Sequence, residues 1–374
     1  MNNWAEEVDP TGREVRELTD ELRAGHKVAR NRRGEWVLLG HDEVRAAALD
    51  ADTFSSAVSA FLQIPNGLDG VEHAEARAVL DQYLTAEALA PFEASFREVA
   101  RRLVSEIGSD VDAVGELGAV FAVRAQSVWL GWDPALEGPL LEWMRENHAA
   151  SRSGDRVRMA RVADEFDELI RGVLQPRREH PADDVTSRLM ADGWKGRPFT
   201  DEELVSILRN WTGGDLGSIA LCVGVIAWHL AQDRPLQDRL RGGVSDRELD
   251  AVIDEILRVD DPFVTNRRKT TCPVRVAGVD IDAGQVVKLN WTSANRDESV
   301  FGDRFDPQAH AEQNLVYGIG PHICPGRLLA TMELRIAVQE LLAATTAILP
   351  GEDGHEREIF PVGGYRSVHV RLQR

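Results

Sequence analysis

One cysteine, Cys324, lies in a segment whose residue types and spacing favour chemistry. Gly318 and Gly320 precede it and permit a tight turn with positive φ angles, and Pro325 follows it at the predicted first position of a helix. The thiol would then lie among free backbone N–H donors at a helix N-terminus, which stabilises a thiolate. Gly326 leaves clearance for a flat group near the sulfur. The segment therefore fits an axial ligand of haem iron.

A lone cysteine ahead of a helix is more often an inert, buried side chain, but the surrounding residues argue against that alternative. The segment 317–333 reads Tyr-Gly-x-Gly-x-His-x-Cys-x-Gly, followed by Leu-Ala and a glutamate. It closely resembles the haem-binding signature of cytochrome P450 enzymes, with Tyr317 where that family usually has phenylalanine. The resemblance implies haem b (iron protoporphyrin IX), with the Cys324 thiolate as the axial metal ligand and Gly326 beside the cofactor.

The resemblance also implies which cationic residues bind the haem propionates. His73 and Arg77, one helical turn apart after an irregular loop, match two of these ligands, and His322 matches another. Arg268 matches a fourth, with its neighbour Arg267 as the alternative. Because haem carries two carboxylates, a cluster of arginine and histidine donors is what its anchoring requires.

A second motif supports the same family. Glu255 and Arg258 form a Glu-x-x-Arg pair, and on a helix the two side chains share a face and can pair. A solvated surface pair is the alternative for this motif alone. The resemblance implies that an arginine from the later loop joins the pair, and Arg304 is the predicted third member. Its predicted role is structural support of the cysteine loop.

The predicted central helix, over about 201–231, has an unusual composition. Gly213, Gly214 and Gly217 lie in its interior, where each costs about 1 kcal/mol relative to alanine. The buried acid Asp215 adds a further cost unless it is solvated or paired. A helix that crosses the oxygen-binding face of a haem needs both space and a proton path, so this composition favours that position.

The acid of this helix lacks the usual partner. Where the resembled family has threonine directly after the acid, this chain has Leu216, and Ser218 lies three residues after Asp215. We predict Asp215 and Ser218 as the catalytic residues, with Ser218 partly replacing the missing hydroxyl. Water or a substrate group is the alternative proton carrier. The variant segment is similar to that of the P450 branch that O-demethylates small methoxyaromatic compounds.

The resemblance implies that substrate contacts come from the irregular loop, the central helix and the strand after Glu-x-x-Arg. The predicted contacts are Phe61, Leu62, Gly213, Gly214, Gly217, Phe263 and Thr265. Ordinary core packing is the alternative for each residue. The set is apolar and partly aromatic, which indicates an aromatic or apolar group near the iron.

The composition of the 374-residue chain excludes several classes of protein. Hydrophobic residues make up 43% and charged residues 28%, an ordinary globular balance. The net charge of −19 argues against general affinity for nucleic acid or anionic lipid. Three dispersed cysteines exclude a disulfide scaffold, and neither a secretory signal nor a long apolar span is evident. We expect a cytoplasmic protein that binds neither nucleic acid nor membrane.

Hydrophobic periodicity predicts mostly helix. Helical spacing dominates from about 73 to 260, and short alternating segments follow. The later predicted elements are strands within 275–281 and 284–289, a loop over 301–323, a helix over about 325–346 and a strand pair over 358–373. The predicted fold class is mainly α with small β-sheets. By resemblance it is the cytochrome P450 fold in a single domain over 1–374, with haem between the central helix and the cysteine-loop helix.

The resemblance implies a bacterial haem-thiolate monooxygenase of secondary metabolism. It would activate dioxygen to hydroxylate or O-dealkylate a small aromatic or apolar molecule. As a monomer it would take electrons from a ferredoxin or flavodoxin with its NAD(P)H reductase. One alternative is oxidative C–C or C–N coupling of phenol or indole side chains in a short aromatic peptide. Another is a haem-binding protein without turnover.

Overall fold

The computed structural model describes residues 4–6, 13–360 and 362–374. Helices make up most of this part of the chain, as predicted. The α-helices are α1 (Val15–Gly25), α2 (His41–Leu49), α3 (Gly70–Leu80), α4 (Ala86–Leu89), α5 (Glu93–Glu106), α6 (Ala119–Leu130), α7 (Glu137–Ser153), α8 (Arg156–Glu179), α9 (Val185–Ala191), α10 (Asp201–Gln232), α11 (Arg234–Arg241), α12 (Asp246–Val259), α13 (Trp291–Ala294), α14 (Glu298–Phe301), α15 (Pro307–His310) and α16 (Arg327–Ala343).

The strands are short and form small sheets, which confirms the predicted fold class of mainly helix with minor sheet. They are β1 (Ala5–Glu6), β2 (Val28–Arg30), β3 (Trp36–Leu38), β4 (Phe54–Ser55), β5 (Asp110–Asp112), β6 (Gly193–Trp194), β7 (Arg197–Pro198), β8 (Thr265–Thr270), β9 (Val274–Val276), β10 (Val279–Ile281), β11 (Val286–Asn290), β12 (Ala347–Arg357) and β13 (Tyr365–Gln373). The largest sheet has the strand order β1-β2-β3-β11-β8-β4.

The longest helix, α10, begins at a reciprocal cap. The backbone N–H of Glu203 donates to the Thr200 hydroxyl, and the Glu203 carboxylate accepts from the backbone N–H of Thr200. Among the described residues, α10 is the one helix long and apolar enough to cross a membrane. Most of its apolar stretch is buried against neighbouring elements, including α6, α8, α12 and α16, so it is the central helix of the core.

The sheet that carries β8 positions one face of the site. β8 pairs antiparallel with β11, with Arg268 opposite Val287, while β11 pairs parallel with β3. Val287 is fully buried in a second apolar cluster between this sheet and α2. Alternation along β8 therefore directs Arg268 to the interior and leaves Arg267 exposed.

Two predicted boundaries were wrong. The cysteine-loop helix begins at Arg327, not at Pro325, because a turn closed by the Arg327 N–H and the Cys324 carbonyl at 3.3 Å comes first and Gly326 is the N-cap. The terminal strand pair begins at residue 347, not 358. Register shifts along β12, between Pro350 and His355 and again at Glu356, let the strand continue through residues that normally break one.

Candidate active site

The loop before Cys324 is a tightly constrained turn. Gly318 and Gly320 adopt φ angles of +69° and +79°, the left-handed region that glycine tolerates best. A Cβ on Gly320 would lie 2.8 Å from the carbonyl oxygen of Ala48, so only glycine fits there without movement. The Cys324 N–H donates to the Tyr317 carbonyl at 2.9 Å and closes the loop. The backbone thus fixes the direction of the thiol.

Cys324 faces a cavity of about 290 Å³ between α10 and α16. The cavity brings together eight of the residues predicted for the site: Gly214, Asp215, Ser218, Phe263, Arg268, His322, Cys324 and Gly326. The thiol has accessible surface inside the cavity, yet it is deep in the protein, and burial raises its pKa. The Gly326 N–H acts in the opposite direction but does not outweigh burial. Burial alone therefore favours the neutral thiol at this position.

Arg268 is a buried cation that lacks a carboxylate partner. Its side chain lines the cavity, and it forms no ion pair within 4 Å with any described carboxylate. Burial lowers the pKa of Arg268, while the charge of Asp69 raises it. Exposed Arg267 does not line the cavity. The burial pattern thus favours Arg268 over Arg267 as the residue that meets an anion here.

Two histidines pack against each other, with tilted rings, beside Arg268. The rings of His73 and His322 lie 4.1 Å apart between centroids. Burial lowers the pKa of both, and for His322 the nearby His73 and Arg268 add to this and bring its pKa to about 4. Nε2 of His322 is buried without a hydrogen-bond partner, although an Asp69 oxygen lies 3.5 Å away. This nitrogen is unpartnered among the described residues but has almost no accessible surface of its own.

Arg77 holds the cysteine loop and is not among the residues that line the cavity. Its Nη1 donates to the carbonyl oxygens of Pro321 at 3.2 Å and Ile323 at 3.0 Å, and its Nε donates to Asp81 at 2.7 Å. Nη2 makes no hydrogen bond within the described part of the chain and remains available. The sequence predicted a propionate ligand at Arg77, and the structure adds this contact with the loop.

The site's donor set fits the haem that the resemblance implies. A soft thiol lies in the cavity that also holds the buried guanidinium of Arg268 and the unpartnered nitrogen of His322. The thiol is a ligand for haem iron, and Arg268 and His322 are suitable partners for the two propionates. A Cβ on Gly326 would lie 3.9 Å from the Cys324 sulfur, so the residue leaves the sulfur open on that side.

The predicted Glu-x-x-Arg pair is buried, but its third member is not the predicted residue. Arg258 donates to Glu255 through Nε at 2.7 Å and Nη2 at 2.8 Å. His310 Nδ1 lies 2.7 Å from the same carboxylate, whereas Arg304 is exposed. The prediction of Arg304 as the third member was therefore wrong. α15, which begins at Pro307, turns His310 inward, while Arg304 stays in the preceding turn.

This buried network reaches the cysteine loop. Arg258 Nη1 donates to the carbonyl of Asn295 at 2.6 Å, and Oδ1 of Asn295 accepts from the Leu315 N–H at 2.8 Å. Burial acts to raise the pKa of Glu255, but the hydrogen bonds from Arg258 and His310 outweigh it and the pKa is lowered. Glu255 is thus an ionised anchor beneath the loop.

The α10 face of the cavity is open at Gly214 and acidic at Asp215. A Cβ on Gly214 would meet no atom within 4 Å. Asp215 and Ser218 both line the cavity, while Leu216 is fully buried and faces the core. Leu216 occupies the position where the resembled family has threonine, so no hydroxyl from that position reaches the cavity.

Asp215 is paired with a second acid that the sequence did not identify as functional. Glu333 of α16 is fully buried close to Asp215, and neither of its carboxyl oxygens has a hydrogen-bond partner among the described residues. Burial raises the pKa of both groups, and the charge of Asp215 raises that of Glu333 further. The raised pKa of Glu333 favours its protonated form, so the pair keeps a proton on a buried carboxyl group next to Asp215. Glu333 belongs to the haem-binding signature, but it meets Asp215 only because α10 and α16 cross in the fold.

A second cavity, of about 300 Å³, adjoins the first. The two share Gly214, Ser218, Pro262 and Phe263 as lining residues. Five of the predicted substrate contacts line it: Gly213, Gly214, Gly217, Phe263 and Thr265. The sequence missed its α7 wall, made by Trp143, Met144, Asn147 and His148. An amphipathic helix shows which face is apolar but not which cavity that face covers.

Two predicted substrate contacts need correction. Phe61 is 62% exposed and Leu62 is 44% exposed, and neither lines the two cavities just described. The backbone explains this, because the Leu62 carbonyl accepts hydrogen bonds from Ser206 and Arg209 at the start of α10. The loop is thereby tied down with these two side chains on the surface, while Ile64 is the residue that enters the core.

Comparisons with known proteins agree with this geometry. The sequence profile described as Cytochrome P450 matches residues 247–362. The chain is 27% identical over 349 residues to the Erythromycin C-12 hydroxylase of Saccharopolyspora erythraea, covering 86% of this chain and 85% of that protein. It is 28% identical over 352 residues to the Cyclomarin C epoxidase CymV of Salinispora arenicola, covering 88% of each.

The fold has close counterparts among solved structures. The open cytochrome P450 Eryk from S. erythraea superposes with a TM-score of 0.87 at 26% sequence identity, over 98% of this chain and 97% of that one. The similarity thus extends over nearly the whole length of both chains.

Proposed function

Because this chain belongs to the cytochrome P450 family and is a P450 monooxygenase, we propose that it oxidises an aromatic or apolar substrate by hydroxylation or O-dealkylation. The observation that carries this proposal is the pair of adjoining cavities. One holds Cys324, and the other is walled by Trp143 and Phe263 opposite a glycine-rich face of α10. Because haem would fill the first cavity, the second favours a flat or apolar molecule that reaches the haem where the two cavities meet, at Gly214 and Phe263.

The residues assigned to the haem follow from their chemistry. Cys324 would ligate the iron, Arg268 and His322 would meet the propionates, and His73 and Arg77 would support them from the adjoining helix. When bound, the haem supplies dioxygen activation, which an axial thiolate favours by donating electron density. Every other contribution comes from the protein: the loop directs the sulfur, and the buried Glu255–Arg258–His310 network holds that loop.

Proton supply is assigned to the acid pair. Asp215 lies at the cavity wall, and burial keeps a proton on the neighbouring Glu333, so Glu333 can resupply the Asp215 carboxyl, which in turn donates into the cavity beside Gly214. Ser218, one turn further along α10, offers a hydroxyl to the same space. With Leu216 turned to the core, these groups replace the usual alcohol.

The electron donor and the setting are also assigned by family. We assign a separate ferredoxin or flavodoxin with its NAD(P)H reductase, a cytoplasmic location and a role in bacterial secondary metabolism. The relatives named as a hydroxylase and an epoxidase support oxygen insertion as the reaction type. Their own substrates are not carried over to this chain.

Oxidative coupling of aromatic side chains in a short peptide is the second candidate. The observation that favours it is Leu216, which removes the hydroxyl from the position after the acid. Coupling removes hydrogen from two rings and retains no oxygen, so it makes a different product.

One reconstitution tests both candidates. The haem-loaded protein is combined with a surrogate ferredoxin and reductase and offered a panel of methoxyaromatic compounds and short aromatic peptides. We expect substrate-dependent NADPH consumption and a product that has gained one oxygen, or formaldehyde from a methoxy compound. A product that has lost two hydrogens would favour coupling, and no consumption with any compound would reject both.

A further inference from the structure

One side chain of the second cavity has no place in the function assigned so far. His148 on α7 lines that cavity opposite α10, next to Asn147. A buried polar group normally has a hydrogen-bond partner. The ring nitrogens of His148 bond no side chain or backbone group in the described part of the chain. Both nitrogens keep solvent-accessible surface. The imidazole therefore presents unused hydrogen-bonding capacity to the cavity.

The structure makes room for this ring. A Cβ on Gly217 would lie 3.2 Å from Nε2 of His148, so the absence of a side chain at Gly217 leaves the imidazole in its place. The neighbouring wall is aromatic, because Trp143 stacks on Phe166 with ring centroids 3.8 Å apart and lies against Gly213. A polar ring thus stands at the edge of an apolar, flat-walled space.

Burial and one neighbouring positive charge keep His148 uncharged near neutral pH. Burial lowers its pKa, and the positive charge of Arg152, one turn along α7, lowers it further. Arg152 is itself neutralised by Glu358, with 2.6 Å between Nη1 and Oε1. A neutral imidazole has one donor and one acceptor, so it suits an uncharged oxygen or nitrogen better than a carboxylate.

His148 lies away from the thiol. It lines only the second cavity, whereas Cys324 lines only the first, and the two spaces meet at Gly214, Ser218, Pro262 and Phe263. Because haem would occupy the first cavity, a substrate in the second would have one end where the cavities meet and the other beside His148. A group held at His148 would therefore decide which atom of the substrate is oxidised.

We propose that His148 is a positioning residue that hydrogen-bonds an uncharged polar group, such as a carbonyl, hydroxyl or amide, at the end of the substrate remote from Cys324. This inference rests on the proposed function, since it names the substrate class of the same site. The substrate is then an aromatic or apolar body with a neutral hydrogen-bonding group at one end.

The test compares isosteric ligands by equilibrium dialysis against the haem-loaded protein. The probes are 4-methoxyacetophenone and 4-isopropenylanisole, which differ only in a carbonyl oxygen replaced by a methylene. We expect the ketone to bind about tenfold more tightly, the equivalent of about 1.4 kcal/mol. His148→Phe should abolish that preference while keeping the affinity for the alkene, and His148→Gln should retain part of it. His180→Phe, at an exposed histidine, is the matched control and should behave as wild type.

Three outcomes overturn the inference: equal binding of the two probes by wild type, an unchanged preference in His148→Phe, or binding of neither probe. Product analysis on the same samples separates this result from the proposed function. If wild type binds the two probes equally but still forms oxygenated product, only the role of His148 is rejected. A retained preference without any oxidised product rejects only the proposed reaction.

Discussion

Asp215 is the side chain of the site with the most direct role in turnover. It lines the cavity of Cys324 and lies close to Glu333, on which burial and the charge of Asp215 keep a proton by raising the pKa. An amide at this position keeps the shape but cannot relay that proton. The pair therefore links a cavity-facing acid to a buried proton store, and two predictions follow from that link at the scale of single residues.

Asp215→Asn should slow product formation by about a hundredfold, the lower range of a lost general acid. Haem content should be unchanged, because Asp215 holds neither the loop nor the propionate ligands. Product per unit time and haem absorbance measure the two effects separately. Asp201→Asn, at the exposed start of the same helix, is the control and should keep wild-type turnover. Equal turnover in the Asp215 variant would remove this residue from the mechanism.

Glu333→Gln should change how stability depends on pH. Glu333 binds its proton more tightly in the folded chain than its ordinary pKa of 4.5 allows, so its contribution to the free energy of unfolding falls as pH rises above that value. The variant lacks this loss. Urea unfolding between pH 4.5 and neutral pH should therefore show the stability difference shifting in favour of Glu333→Gln as pH rises. A pH-independent difference would contradict the assignment.

Short-range spacing explains which site residues were predictable. Cys324 and His322 lie in one loop, so their relative positions follow from a few glycine turns. Alternation along one strand separates Arg268 from Arg267 once the strand's inward face is known. The partnership of Asp215 with Glu333 depends on how two helices distant in sequence cross, and no local pattern records that.

At the scale of elements, the cysteine loop is held by the network beneath it and by its contact with α2. The Glu255–Arg258–His310 cluster packs under the loop, and Gly320 lies against the end of α2. Arg304 was predicted for the cluster from order along the chain. The short helix α15 instead directs His310 into the cluster. A helix of one turn is too short for hydrophobic periodicity to reveal which of its faces is buried.

His310→Ala should lower the free energy of unfolding by about 1–3 kcal/mol, because it removes a hydrogen bond to a buried carboxylate. The loop above should also retain haem less well. Arg304→Ala is the matched control and should leave both properties near wild type, since that side chain is exposed. Denaturant unfolding and haem loss to a scavenger protein measure them. If the two variants lowered the free energy of unfolding and haem retention equally, Arg304 would have to be part of the cluster.

Gly320→Ala should destabilise the protein by at least about 1–2 kcal/mol, because a side chain is strained at φ +79° and its Cβ would approach the Ala48 oxygen to 2.8 Å. The same change at Gly138, within α7, meets no atom within 4 Å and should be neutral or stabilising. Thermal unfolding of both variants compares them. A neutral Gly320→Ala would mean that the loop does not need its turn.

At the scale of the whole molecule, α10 organises both the core and the site. One stretch of this helix packs against its neighbours, and its glycine-rich segment opens the two cavities. Helical periodicity and the change of texture after residue 260 predicted the fold class. They did not predict the α7 wall or the surface position of Phe61 and Leu62, which depend on how distant segments pack. That residues 1–374 act as one domain and as a monomer stays a prediction.

The most direct measurement of the central claim is the absorption spectrum of the reduced carbon monoxide complex, recorded for wild type and Cys324→Ala after haem loading. If Cys324 ligates the iron, wild type will have the red-shifted Soret band of a thiolate ligand, and the variant will lose that band while still binding some haem through Arg268 and the histidines. A variant that keeps the red-shifted band, or a wild type that never develops it, would contradict the account.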